Sequence, residues 1–513
     1  MLSVPHLALA LILVGIIRLV QRRLAARLAF RRIPGPSCSS LIWGEEQKLY
    51  YNVPGSLHLQ WHRHYGNVVK FTGAFGHQVL SITDPRAISY ILGEGTYLFP
   101  KPQGVRAWFR TLLGEGILWV EGKEAHEKQR RSLAPALSHQ STRNLTTIFY
   151  ENASKMAAHW AKQLEAGEAD EVEIEMTNWS GRYALDNIGQ AAFSYDFTCL
   201  NGEPHELAQT LDGLTNHEQT RASFYMRALF WLVPSILFVG KKGEMIRKTR
   251  NELGKLAIRI LHDAKIAADP DSKTLMSLIL RAEEAASGQQ MDEEQISAQM
   301  RTIISAGYEP VSASVAWMLH ELAIDPRLQQ ALRDEVSTAG DPSFDDLRVK
   351  YPLLDAFVRE TIRMHPPVLE NHHESAETTS IPLSEPLPGT SDLHLIIPKG
   401  TILSMPVNVI QQDQTVWGPD ADVFRPERWL KHDASNLSHR CHRDLFAFSF
   451  GPRGCLGRSF AIVEMKALIV TLIRQFSFSC PYEIEAFQSF VIRPRVAGQG
   501  PSSLPLLVRK ACY

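Results

Sequence analysis

The stretch Phe448-Ser-Phe-Gly451-Pro-Arg453-Gly-Cys455-Leu-Gly457 constrains this chain more than any other, because it sets one cysteine in a glycine-studded turn ahead of an apolar run, Ser459 to Ile473. Glycines at 451, 454 and 457 permit positive φ and close backbone approach. The apolar residues recur at helical spacing, so Cys455 sits just before a helix N-terminus. Unpaired N–H groups and the positive dipole end there favour a thiolate, which suits nucleophilic attack or metal ligation. A lone cysteine among apolar residues is ordinarily inert packing. Three glycines and an arginine in fixed register around the sulfur argue instead for a working site.

A chain of 513 residues, 44% hydrophobic and 21% charged, can bury a large core and is not of disordered composition. No Pro/Gly/Ser-rich linker follows residue 36 and no internal repeat appears, so one large domain over 37–513 is expected. A net charge of −1, with no basic stripe, gives no sign of nucleic acid as a partner. Cysteines 38, 199, 441, 455, 480 and 512 are scattered and form no Cys-x-x-Cys pair, a pattern of a reducing compartment.

Residues 1–20 are apolar apart from Ser3, His6 and Arg18, close to the roughly 20 needed to span a bilayer. Arg18, Arg22, Arg23, Arg27, Arg31 and Arg32 follow on one side, which the positive-inside rule makes cytoplasmic. A cleaved signal peptide has the opposite order, so an uncleaved transmembrane anchor is expected. Residues 21–36 then form a basic linker ending in a stiff Pro34-Gly35-Pro36 hinge. With the domain cytosolic, the sequons at Asn144, Asn152, Asn178 and Asn436 are expected to stay bare.

Val68–Phe71 and Gln78–Ile82 read as strands, with a helix after Asp84-Pro85. The Lys101 to Val120 segment is too irregular for one long element. His126 and Arg130 are four apart and share a helix face; by spacing alone that is a solvated basic helix. Leu214 to Gly240 is a dense apolar cluster, core or lid. Asp292 and Gln295 cap a helix of about eight turns that Asp325-Pro326 stops. The reading is mainly α with a small β-sheet region.

The pattern Phe-x-x-Gly-x-Arg-x-Cys-x-Gly at 448–457 resembles the haem-binding loop of cytochromes P450, in which the cysteine thiolate is the axial iron ligand. The resemblance runs in order from the hinge to the C-terminal strand and implies the P450 fold. It makes Cys455 the ligand of haem b, with Phe448 and Gly457 framing it. Arg453, His126 and Arg130 become propionate holders, a task suited to bidentate arginine. The family has an arginine eight residues after the position of His365; here it is His373, which makes that contact weaker or pH-dependent. Glu360-Thr-Ile-Arg363 resembles the family's Glu-x-x-Arg pair, joined by Arg428 of a Pro-Glu-Arg segment, a structural trio. Segments 101–120 and 214–240 become the substrate loop and lid. Ala306-Gly307-Tyr308-Glu309-Pro310-Val311-Ser312 resembles the oxygen-binding segment, with Ala306, Gly307 and Glu309 as catalytic positions.

Proline stands at 310 where the family has threonine. Without an N–H, Pro310 leaves the Ala306 carbonyl unpaired and is expected to kink the helix. Ser312 is about 200° further around and cannot replace the hydroxyl. Either proton delivery then falls to water, Glu309 or a substrate hydroxyl, or Pro310 is a tolerated structural kink with ordinary chemistry.

These resemblances imply a monooxygenase at the endoplasmic reticulum membrane acting on a lipophilic small molecule. NADPH electrons would arrive through the FAD and FMN of cytochrome P450 reductase, docked at Lys123, Lys128, Arg443 and Arg458. The details look most like fungal secondary metabolism, such as terpenoid oxidation. The alternatives are a P450-fold isomerase or dehydratase working without reductase, and a non-catalytic haem-binding protein.

Overall fold

The computed structural model describes residues 28–167, 170–202, 206–215, 220–230, 233–267, 292–337, 340–430 and 445–511. The expected anchor at 1–20, the linker up to residue 27, and Trp231, Leu232, Asn436, Cys441, Arg443 and Cys512 lie outside the described residues. Among the described residues no helix is long and apolar enough to cross a membrane.

The core is built around the Glu293–Ile324 helix, 32 residues long. Asp292 accepts from the Gln295 N–H at 2.7 Å, and the Gln295 side chain accepts from the Asp292 N–H at 3.1 Å. This capping box satisfies two otherwise unpaired donors. At the far end Asp325 caps the next helix, Pro326–Val336, with proline at a position that needs no N–H. Met300, Ile304, Val315, Met318, Leu319 and Leu322 are buried on several faces of the long helix, which makes it a central helix and not a surface one. It packs against the Met176–Phe193 helix, where Gly307 faces Ile188. Arg458–Gln475, the helix after the cysteine turn, packs on His139–Ala166 through an edge-on contact of Phe460 with Phe149, rings 4.8 Å apart. Truncating a fully buried ring such as Phe149 or Trp160 to alanine costs about 3–5 kcal/mol.

The eleven strands of the described residues form four small sheets. Strands β1 (Val68–Thr72), β2 (Gln78–Ile82), β3 (Glu171–Glu175), β4 (Glu370–Glu374), β5 (Thr379–Pro382) and β6 (His394–Ile397) precede β7 (Ile402–Pro406), β8 (Phe476–Ser479), β9 (Ile484–Gln488), β10 (Ile492–Val496) and β11 (Pro505–Lys510). The largest sheet has the order β1-β2-β7-β4, with β2 and β7 parallel and Val79 opposite Ile402. The others are β3-β11-β8, β9-β10 and β5-β6. Leu80, Ile82, Leu403 and Met405 of the large sheet pack with Ile88 and Ile91 of the Pro85–Leu92 helix, whose cap Asp84 accepts from the Arg86 and Ala87 N–H groups.

The proline hinge is docked onto β1. The Pro34 carbonyl accepts from the Lys70 N–H at 2.9 Å, and Phe30 and Ile33 are buried. Between 101 and 120 the chain contains one short helix, Gln103–Leu112. Of the described sequons, Asn144 and Asn178 are exposed, while Asn152 is buried and donates to Asn187 at 2.8 Å.

Candidate active site

The cysteine turn is held from three directions. The Cys455 N–H donates to the Phe448 carbonyl at 2.9 Å, closing the turn on itself. Arg130 crosses from the Lys123–Leu133 helix and donates to the Gly454 carbonyl at 2.7 Å. Gly451 takes φ +71°, and a Cβ there would lie 2.1 Å from the Leu92 carbonyl oxygen, so only glycine fits. Phe448 contributes its carbonyl and also its ring, which lies under the Arg458 guanidinium at 5.5 Å. Gly457 is the N-cap of the following helix, and a Cβ on it would meet no protein atom within 4 Å.

Cys455 can be reached by solvent yet lies deep within the protein envelope. Burial pushes its thiol up, and the Gly457 backbone, Arg130 and Arg458 oppose that without overcoming it. With no cation at the sulfur, desolvation is the largest influence on this thiol. A bound cation would ionise the thiol outright.

Beside the turn lies a group of cations and rings. Arg453 bonds Glu121, which also holds Lys101 at 2.8 Å, and stacks over Tyr97 at 5.5 Å. Its Nε and Nη1 are buried without a hydrogen-bond partner. Two orphaned guanidinium nitrogens cost more than the bonds they omit, unless an anionic group completes them. His126 is buried beside Tyr97, whose hydroxyl meets Nδ1 at 3.2 Å. Burial and the neighbouring Arg453, Lys101 and Arg130 hold it down to about 4, so it is neutral. His373 is buried on β4, its Nδ1 2.8 Å from the Phe99 carbonyl, and burial likewise holds it down to about 4. A neutral His373 corrects the expectation of a contact that switches near neutral pH. These residues fit a haem: a cysteine at the turn, space beside Gly457, and unpaired donors for a carboxylate.

Behind the turn, Glu360 and Arg363 are fully buried and paired through two bonds of 2.8 Å. Arg428 reaches Glu360 at 2.9 Å, and Trp429 donates to it at 2.9 Å. Arg363 and Arg428 spend their remaining donors on the backbone carbonyls of Gln411, Trp417, Ala421 and Val423. Every lone pair and proton that matters is matched, which a buried ion pair requires.

On the long helix, Ala306 is exposed between half-buried Ser305 and Gly307, and Pro310, one turn on, is half-buried. These two share the open face. The helix continues through Pro310, so the expected kink does not break the element. Ser312 is buried and off that face. A Cβ at Gly307 would strike Ile188 at 2.7 Å, so glycine there permits close helix packing. Glu309 is buried in an ion pair with Arg493 of β10 at 2.8 Å. Arg493 also reaches Asp212 at 3.1 Å, and the Tyr308 hydroxyl donates to Asp212 at 2.9 Å. Burial alone would lower Arg493, but Glu309, Tyr308 and Asp212 outweigh it and hold the cation firmly charged.

A cavity of ≈ 330 Å³ is lined by Val105, Trp108 and Phe109, by Met226 and Phe230, and by Val368, Phe490 and Ile492, with no residue of the cysteine turn. Its size and apolar wall suit a small organic molecule. Sequence reasoning singled out the 101–120 and 214–240 segments but missed Arg493, Asp212, Glu121 and Tyr97, which stand in no motif.

The Cytochrome P450 family profile matches residues 34–495. Cytochrome P450 monooxygenase claQ of Ampulloclitocybe clavipes is 33% identical over 511 residues, covering 95% of each chain. Cytochrome P450 monooxygenase 205 of Postia placenta is 32% identical, over 93% of this chain and 92% of its own. Ganoderic acid synthetase of Ganoderma lucidum is 30% identical over 90% of each.

Proposed function

The chain belongs to the cytochrome P450 family and is a haem-thiolate monooxygenase, and from that premise we propose that it oxidises a lipophilic small molecule of fungal secondary metabolism, such as a terpenoid, with NADPH electrons delivered by a flavoprotein reductase. The observation that carries the site assignment is the pair of orphaned Arg453 nitrogens beside the pinned Cys455 turn. Cys455 would ligate the iron of haem b, and Arg453 would hold a propionate, with His126 and His373 as neutral neighbours. Arg130 positions the turn through Gly454. Once bound, the haem supplies the activation of O₂ for insertion of one oxygen atom into substrate.

The chain's own residues then bind, orient and keep water out. Trp108, Phe109, Phe230 and Phe490 form an apolar wall for the substrate. Ala306 leaves room on the open helix face, and its carbonyl has no helical donor because residue 310 is proline. That carbonyl can accept a hydrogen bond from water or a substrate hydroxyl. Glu309 is committed to Arg493, so it delivers protons only when that pair opens. Pro310 also favours, as a second reading, rearrangement without reductase.

Membrane attachment rests on two features. One is the basic, apolar N-terminal sequence. The other is a patch in which Trp43 joins Phe75, Phe224 and Tyr225 at 5.2–5.8 Å, with Leu41, Ile42 and Val53 exposed around it. Lys123 is exposed and available to an acidic reductase surface, and Lys128 is exposed on the same helix. The deciding experiment is product formation with NADPH, O₂ and reductase. Turnover that needs all three supports monooxygenation, turnover without reductase supports rearrangement, and none supports a binding protein.

A further inference from the structure

The substrate cavity contains two cations that have no direct carboxylate partner among the described residues; Arg227 feels Glu46 only through a charge interaction without a direct ion pair. Arg227, on the Arg221–Leu229 helix, and Lys242, in the first turn of the Gly240–Ala267 helix, both line it beside Trp108, Phe109, Met226 and Phe230. Among the described residues neither side chain makes a hydrogen bond or ion pair. Both are half-buried, whereas the fully buried cations Arg301, Arg363, Arg428 and Lys466 each have a carboxylate at 2.6–2.9 Å. Two like charges facing one apolar cavity repel, and a cation in a helix's first turn opposes the dipole. Burial and Arg227 together hold Lys242 down to about 8.

The carboxylates on the same wall do not resolve this. Glu370 is engaged by His58 at 3.3 Å and His372 at 3.2 Å. Glu46 is pushed up to about 7 by burial and makes no ion pair with Arg227. The cavity wall therefore carries excess positive charge where a small molecule binds.

We propose that Arg227 and Lys242 form an anion subsite, so that the preferred substrate is a lipophilic molecule bearing a carboxylate, its acid end held at the lid and its apolar body along Trp108, Phe109 and Phe230. This rests on the monooxygenase reading above. Because no residue of the cysteine turn lines the cavity, oxidation falls on a carbon remote from the acid.

The test uses the full-length holoenzyme and two matched pairs of probes, palmitic acid with methyl palmitate and abietic acid with methyl abietate, titrated by the haem spin-state shift and by tryptophan quenching. At least one acid should bind about tenfold more tightly than its ester, and Arg227→Gln and Lys242→Met should each remove about tenfold for that acid only. Arg227→Lys should retain the preference. Equal affinity for acid and ester, no binding of either acid, or equal losses for acid and ester in the variants would overturn the subsite. So would variants that lose binding to phosphatidylserine vesicles while keeping acid preference, because the cations would then serve the membrane. The reduced carbon monoxide spectrum of the same samples separates the two claims. A thiolate-type band without acid preference sinks the subsite alone, and absence of the band sinks the haem reading and the subsite with it.

Discussion

The two sides of the proposed haem site are held by different kinds of contact. On the cysteine side the restraints are backbone groups: the Phe448 carbonyl, the Gly454 carbonyl under Arg130, and the close approach of Gly451 to Leu92. On the oxygen side the restraint is a buried chain of charges, Glu309 to Arg493 to Asp212, with Tyr308 alongside. Backbone contacts within a turn specify a short motif of small residues. Charges that meet across 184 residues specify no local motif.

The largest effect expected is from Cys455→Ser, which removes the thiolate while sparing the turn's backbone bonds. Activity should fall to background and the thiolate-type carbon monoxide band should disappear; a retained band would place the ligand elsewhere. Next is Glu360→Ala, which strands Arg363 and Arg428 in the interior and should cost about 3–5 kcal/mol in urea unfolding. Asp422→Asn, which breaks the exposed pair with Arg63, should cost at most about 1 kcal/mol. Equal losses would mean that burial does not distinguish these pairs. On the oxygen side, Glu309→Gln keeps shape but lowers the charge matched to Arg493, and should cost about 1.5–3 kcal/mol. A negligible loss there would show the Arg493 chain to be dispensable and narrow the contrast between the two sides.

The smallest expected effect is a pH trend in ligand affinity. Glu46 gains its negative charge as pH rises through about 7, and Lys242 loses its positive charge through about 8, so both changes reduce attraction for an anion. Arg227, Glu370, His58, His372, His77 and Tyr50 also surround this end of the cavity. Affinity for a lipophilic acid, read by the spin-state shift, should weaken from pH 6 to pH 9 while that of its methyl ester stays flat. A rising affinity would exclude this electrostatic account.

The cysteine turn, the capped long helix and the first two strands were legible because each depends on neighbours in sequence: glycines in register, a capping pair, short apolar runs bounded by turns. The resemblance added residues that spacing alone would have left on a solvated helix, as His126 and Arg130 would have been. Packing carried little signal in the sequence: that Gly307 faces Ile188 appears only once the two helices are set together. Arg493 carried no signal, because either arginine of the Ile492–Val496 strand looks like any strand cation until the fold sets Arg493 against Glu309.

Pro310 stands where the family pattern that the segment resembles has threonine, and placing threonine there tests whether that difference governs proton delivery. The measurement is product formed against hydrogen peroxide released per NADPH consumed, in wild type and Pro310→Thr, with reductase and a substrate the enzyme turns over. A changed ratio is expected, because the substitution returns both a hydroxyl and the N–H that the Ala306 carbonyl lacks. An unchanged ratio, with the thiolate-type band intact in both proteins, would contradict it and leave Pro310 a tolerated feature of the helix.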